Sequence, residues 1–344
     1  MKKTVIVAAC FLGAFNMVAA QSAKTDYKIA KKIHLDGDAG WDYLTMDEAT
    51  GRLFVSHGTM VQVVDVKTAK VLGAISDLKG VHGIAIANDL DKGFISNGRD
   101  SSVTIFNLKT LATIGKVKVT GSNPDAILYD IFSHKVFTFN GRSNDATVLD
   151  AKTNKVIKTI KLAGKPEFSV TDGKGKIYVN IEDKSLICEI NATTLKVEQS
   201  WPIAPGEEPS GLALDNVNHR LFSVCDNKTM VVVNAENGKV INSLPIGEHV
   251  DGVSFDNKLK RAYSANGDGT LTVVQEEDAN TFKILENVST QKGARTIAID
   301  NSTHHVYLPT AEYGAAPAAT KENPRPRPTI NPNTFSILDV EVVK

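Results

Sequence analysis

Cysteine is almost missing from this chain: there are three in 344 residues, and one of them, Cys10, sits in the leading apolar segment. Cys188 and Cys225 remain, too few for a disulfide framework and too widely spaced for a Cys-x-x-Cys metal or redox motif. An exported compartment would permit them to pair, yet two separate buried thiols is the simpler reading. Net charge is missing as well, with 39 basic residues against 39 acidic ones. That balance removes any long-range electrostatic case for nucleic acid or an anionic membrane. Aromatic residues make up only 6% of the chain, and no basic-aromatic array offers a stacking surface for single-stranded bases. Past the first twenty residues no apolar run approaches the roughly 18 residues of a membrane helix. Helical periodicity is lacking there too. There is no Cys-x-x-Cys-His for haem and no phosphate loop.

The leading segment has the layout of an export signal. Lys2 and Lys3 are followed by the uncharged run from Thr4 to Val18, and Val18-Ala19-Ala20 precedes Gln21 with the small residues a signal peptidase needs. Cleavage after Ala20 is expected; Val7-Ala8-Ala9-Cys10, which has a faint likeness to a lipoprotein box, lies too close to the lysines. Residues 21–344 would then form a single periplasmic or secreted domain of 37 basic and 39 acidic residues, monomeric and without a transmembrane segment.

What is present is a repeat. A short apolar strand returns seven times, as Leu53-Phe54-Val55-Ser56, Gly93-Phe94-Ile95-Ser96, Val136-Phe137-Thr138-Phe139, Ile177-Tyr178-Val179-Asn180, Leu221-Phe222-Ser223-Val224, Ala262-Tyr263-Ser264-Ala265 and Val306-Tyr307-Leu308. Successive starts lie 40 to 44 residues apart, the period of a four-stranded propeller blade. Before each marker comes a short apolar strand such as Gly83-Ile84-Ala85-Ile86. After it comes an alternating one such as Val61-Gln62-Val63-Val64-Asp65-Val66, then a tight polar turn such as Lys152-Thr153-Asn154-Lys155. The predicted fold is all-β, a seven-bladed β-propeller of four-stranded antiparallel blades. Blade seven lacks an outer strand, which Tyr27–Leu35 can supply, so the N-terminal strand is expected to close the ring.

The recurring Val63-Val64-Asp65-Val66-Lys67-Thr68-Ala69-Lys70-Val71 pattern resembles the YVTN-type repeat of YncE-like seven-bladed propellers, over residues 27–344. Literal tetrads are missing; Tyr178-Val179-Asn180 and Phe94-Ile95-Ser96-Asn97 come nearest. The resemblance implies export and a central channel that accepts a ligand, and it carries over no catalytic motif.

In such a blade the loops entering the inner strand and leaving the second strand share one mouth of the channel. Aligning the inner strands on their markers selects Asp42, His82, Asp125, Glu167, Ser210, Asp251 and Arg295, one per blade. Carboxylates crowded there need a cation, a proton or Arg295 to persist. One reading is an oxygen-rich pocket for Ca²⁺ or Mg²⁺, with Asp125, Glu167 and Asp251 as ligands and His82 admitting a transition metal. Another is that the carboxylates tie their loops to the backbone. The same mouth receives His57, Arg99 and Arg142 from the second strands, the arginines suited to an anionic or sugar-acid ligand. It also receives a Pro-rich insertion in blade seven, about residues 311–333, which as a lid would bring Glu312, Tyr313, Arg325 and Arg327 to the channel. Trp41 and Trp201 are read as packing.

Three functions stay open. The chain is a module binding a small ligand or another exported protein at this mouth, with Asp42, Ser210 and Tyr313 among the contacts. Alternatively it is a metal-assisted hydrolase acting on a lactone or sugar acid, His82 serving as base and Arg295 as a carboxylate clamp. The third is a scaffold whose outer faces dock a protein while the channel is inert.

Overall fold

Seven four-stranded antiparallel sheets account for all twenty-eight strands of the described residues, with no α-helix among them. The computed structural model describes residues 26–37, 40–318, 320 and 328–343. The expected export signal at 1–20, and Arg325 and Arg327 of the blade-seven insertion, lie outside the described residues. Blade one meanders outward through Trp41–Asp47, Arg52–His57, Met60–Asp65 and Lys70–Ile75. The next five blades repeat it, their inner strands being Val81–Ala87, Pro124–Asp130, Pro166–Thr171, Pro209–Asp215 and Val250–Asp256. Blade seven is composite: Ala298–Asp300, His305–Thr310 and Ser336–Val342 take Tyr27–His34 as their outer strand. That strand runs antiparallel with Tyr27 opposite Val342 and Ile33 opposite Ile337, so the ring closes three-plus-one as the sequence predicts.

The middle strands of a blade are covered on both faces by neighbouring blades, which is why Leu53, Phe54 and Val55 are consecutive and all fully buried. Outer strands meet solvent, and Val71 and Leu72 are about half exposed there. The core is therefore a set of seams between blades. Phe222 of blade five lies 5.0 Å from Phe255 of blade six, ring to ring. At the closing seam Trp41 packs 5.1 Å from Phe335, and in blade four Trp201 lies over Tyr178 at 6.1 Å, so both tryptophans are packing residues. Cys188 and Cys225 are buried, separate thiols.

Two local devices shape the channel. At its lower end, the inner strands of blades one, three, five, six and seven finish on the buried Asp47, Asp130, Asp215, Asp256 and Asp300. Four of these carboxylates accept backbone N–H groups of the next turn, as from Ser133 to Asp130 at 2.9 Å and from Val217 to Asp215 at 2.8 Å, while that of Asp47 accepts from the side chains of Arg52 and Asn88. Asp130 and Asp256 also accept hydrogen bonds from the following blade, from Thr171 at 2.7 Å and from His304 at 2.6 Å. At the upper end the register between inner and second strand shifts just past the first residue in blades one to six, between Trp41 and Leu44, Val81 and Ile84, and so on to Val250 and Gly252. A bulge at that point turns the second residue of the strand toward the channel mouth. Amides released by it are taken up by the marker strands: Asp42 N–H donates to Ser56 Oγ and Gly83 N–H to Ser96 Oγ, both at 2.8 Å.

Candidate functional site at the channel mouth

The bulges of blades one to six, and the segment leading into the inner strand of blade seven, bring the seven aligned residues into one cup. Asp42, His82 and Asp125 come from blades one, two and three, and His82 Nδ1 lies 2.6 Å from Asp42 Oδ2 and 3.6 Å from Asp125 Oδ1. One ligating atom from each of the three falls within 4.8 Å of the others. On the far side Arg295 Nε donates to Asp251 Oδ2 at 2.8 Å. Glu167 is held by Lys165, whose ammonium lies 2.7 Å from Glu167 Oε1 and also contacts Glu182. Ser210 points its hydroxyl at the Val250 carbonyl, 3.3 Å away, while its own carbonyl accepts from Asn180. None of the four carboxylates accepts a backbone N–H among the described residues. Loop-tying belongs instead to the aspartates at the lower end.

Burial and mutual repulsion leave this cup short of positive charge. Burial, reinforced by Asp42 and opposed by His82, raises the Asp125 carboxyl to about 7. Burial and the field of Asp125 raise Glu167 to about 8, and burial with Asp42 raises Asp251 to about 6 against the pull of Arg295. Burial opposes the charge on His82, yet the Asp42 hydrogen bond and the fields of Asp125 and Asp42 lift it to about 9. At neutral pH the cation-free cup thus holds an imidazolium beside Asp42, the protonation state opposite to that of a general base.

Beneath the cup the channel is blocked. Tyr43 of blade one meets Phe168 of blade four with ring centroids 5.2 Å apart, a contact between non-adjacent inner strands that spans the axis. Both occupy the third position of their inner strands, where blades two, three, five and six carry Gly83, Ala126, Gly211 and Gly252. Tyr43 is 7% exposed, and its hydroxyl has no hydrogen-bond partner among the described residues. Burial raises its pKa well above the ordinary value, and Asp125, Asp42, Glu167 and Asp251 all add to the rise, so the hydroxyl lies within the field of the cup's carboxylates.

The remaining candidates divide. His57 is not part of the cup: it is 2% exposed, stacked on Phe335 at 4.1 Å and bonded through Nδ1 to Gln62 at 2.9 Å. It packs the seam between blades one and seven. Arg99 and Arg142 are exposed on the upper rim and form no ion pair among the described residues. Tyr313 is at the mouth, its ring pressed on Gly293 and its hydroxyl within the field of Arg295. The base of the insertion is ordered by a bridge between Tyr313 and Ile330 and by Gly314 N–H donating to the Thr329 carbonyl at 2.9 Å. Glu312 turns outward to Lys32, 3.7 Å away. Sequence reasoning missed Lys165 and Tyr43. Lys165 stands two residues before Glu167 and could have been read as its counter-ion; nothing in the sequence says that Tyr43 reaches Phe168.

Comparison with known proteins adds a family. Residues 23–202, more than half of the chain, match a domain of unknown function, DUF5074. The chain belongs to the DUF5074 family. No curated protein matches it. In shape this DUF5074 protein is similar to a chain of the Kuenenia stuttgartiensis hydrazine synthase, with TM-score 0.69 and 16% identity over 80% of this chain and 94% of that one. It is also similar to a chain of a mitotic checkpoint complex, with TM-score 0.75 and 11% identity over 99% and 100%. U3-55K gives TM-score 0.73 and 9% identity over 91% and 98%. At such identities the likeness establishes the propeller and nothing of its activity.

Proposed function

We propose that this DUF5074 protein is an exported, YncE-like propeller that works as a binding module, and that its upper cup captures a divalent cation. The reading is carried by the convergence of Asp42, His82 and Asp125, whose ligating atoms lie within 4.8 Å of one another. The Tyr43 hydroxyl, which has no hydrogen-bond partner among the described residues and lies in the field of the same carboxylates, supports it. Two carboxylate oxygens with one imidazole nitrogen suit Mn²⁺ or Zn²⁺ better than the all-oxygen preference of Ca²⁺. Binding would displace the proton from His82 and relieve the repulsion that raises Asp125. Glu167 and Asp251, the other expected ligands, already carry Lys165 and Arg295 and would shape the wall of the cup.

The test is a thermal melt of chelator-treated protein titrated separately with Mn²⁺, Zn²⁺, Ca²⁺ and Mg²⁺. A saturable rise in Tm with Mn²⁺ or Zn²⁺ is expected, since a ligand bound only by the native state stabilises it by mass action. Asp125→Asn should abolish the rise and Ser210→Ala should keep it. Melting curves indifferent to all four ions would sink the cation reading.

A hydrolytic role is the second reading, and its observation is that three protein ligands leave coordination positions open for water and substrate. It requires lactone or ester turnover that depends on the added ion and vanishes in Asp125→Asn; ion binding without turnover leaves the binding module.

A further inference from the structure

Below the Tyr43–Phe168 contact the channel continues as a chamber of about 590 Å³ that opens at the mouth opposite the cup. None of the seven cup residues lines it; its walls are the next three residues of every inner strand. Each blade contributes at least one aliphatic side chain, blade four's being Val170 between Ser169 and Thr171; no ammonium, guanidinium or imidazole lines the chamber, and its carboxylates are Asp47 and Glu48 at the end of blade one's inner strand, Asp47 already paired with Arg52. Three of the hydroxyls present are engaged by the protein: Thr45 donates to the Ile84 carbonyl at 2.7 Å, Thr171 to Asp130 at 2.7 Å and Tyr129 to Asp89 at 2.9 Å. Glu48 on the rim accepts two hydrogen bonds from Asn301. One channel therefore holds a charged layer, an aromatic septum and a mainly aliphatic space whose two carboxylates stand at its lower end.

We propose that this chamber is a second binding site, taking one neutral, largely apolar small molecule through the lower mouth. Its volume lies within the range of roughly 300–1,000 Å³ typical of small-molecule pockets. Its blind upper end suits a compact molecule rather than a segment of chain passing through. An anionic ligand would lose its hydration there without meeting a counter-charge, and a cationic one would find only the rim carboxylates Asp47 and Glu48, already engaged by Arg52 and Asn301, whereas an apolar one gains from every wall residue it covers. Each inner strand is hydrogen-bonded on one side only, so its free edge adds backbone donors and acceptors for an isolated polar atom on the ligand.

The probe is N-phenylnaphthylamine, a neutral dye whose emission rises in apolar surroundings, titrated into the whole protein. One saturable site per chain is expected, unchanged by chelator and by Asp125→Asn, which alters only the cup. Leu214→Glu, which places a charge in the chamber wall, should weaken the dye by roughly tenfold or more. Ser254→Met, which fills space without charge, should weaken it as well and serves if the first variant fails to fold. Absence of saturable binding overturns the proposal. So does equal binding to wild type and Ser254→Met, which would put the dye on the exposed Ile131, Phe132 and Val217 of the lower turns.

Discussion

At the residue scale, Tyr43 separates a structural role from a binding one. Its ring closes the channel against Phe168, while its hydroxyl has no protein partner. Tyr43→Phe keeps the ring and strands nothing, so unfolding by denaturant should change by less than about 0.5 kcal/mol. The cation-induced rise in Tm should nevertheless shrink. Tyr43→Ala removes the ring too and should cost about 3–5 kcal/mol. Glu276 gives a pH signature remote from the cup. It is 1% exposed, its Oε2 has no donor against it, and burial together with the neighbouring Asp215 carboxylate lifts it from 4.5 to about 7. Because the folded value lies above the unfolded one, the stabilisation is complete below about pH 4.5 and is lost as pH rises through 7. Glu276→Gln, which can donate to Asp215 at any pH, should flatten that fall in Tm and be more stable than wild type at pH above 7. If both proteins decline in parallel, the pair does not share a proton. The seven mouth residues were legible in the sequence because each sits at a near-constant distance before a marker strand. Their partners were not: Lys165 is outside the aligned position, and the Tyr43 contact joins residues 125 apart in sequence, across a ring, with no periodicity linking them.

At the element scale, the strands were legible for a plain reason. Second strands are sandwiched between blades and become near-continuous apolar runs, third strands are buried yet alternate apolar with polar residues, and outer strands are largely wet. The bulges were not legible, because a bulge belongs to the pairing of two strands rather than to either one. Yet the bulges shape the cup, since without the register shift the second residue of the inner strand in blades one to six would not face the mouth. Glycine marks the places where the inner strands then crowd. A Cβ on Gly211 would lie 2.8 Å from the Asp251 carbonyl and 2.9 Å from Val253 N, both main-chain atoms that cannot swing aside. Gly211→Ala should therefore destabilise by about 1–3 kcal/mol and disturb the Asp251–Arg295 side of the cup. Gly51→Ala, at a turn with φ +69° but nothing within 4 Å of the added carbon, isolates the conformational cost alone. Denaturant melts of the pair distinguish crowding from backbone strain: only Gly211→Ala should respond to added cation differently from wild type.

At the scale of the whole molecule, the ring is only as strong as its closure. Six blades are each made from one continuous stretch of chain, whereas the seventh joins residues more than 300 positions apart through the Tyr27–His34 strand. Two kinds of contact hold that strand. Ile33 is buried to 3% against the seam of blades seven and one. Tyr27 crosses to blade six, its hydroxyl 3.0 Å from that of Tyr263 and accepting from Arg261 at 2.6 Å. Ile29 is on the same strand but 39% exposed. Placing a carboxylate at each position reads out closure with secondary structure held constant. Ile33→Asp buries an unpaired charge and should lower Tm sharply, as expected for a change costing about 3–5 kcal/mol, while Ile29→Asp should stay close to wild type. Because the cup draws Asp42 from blade one and Arg295 from blade seven, an opened seam should also blunt the Mn²⁺ or Zn²⁺ response below the melting transition. Equal tolerance of the two substitutions would mean that the ring holds without its N-terminal strand, and that the cup is assembled by the inner strands alone.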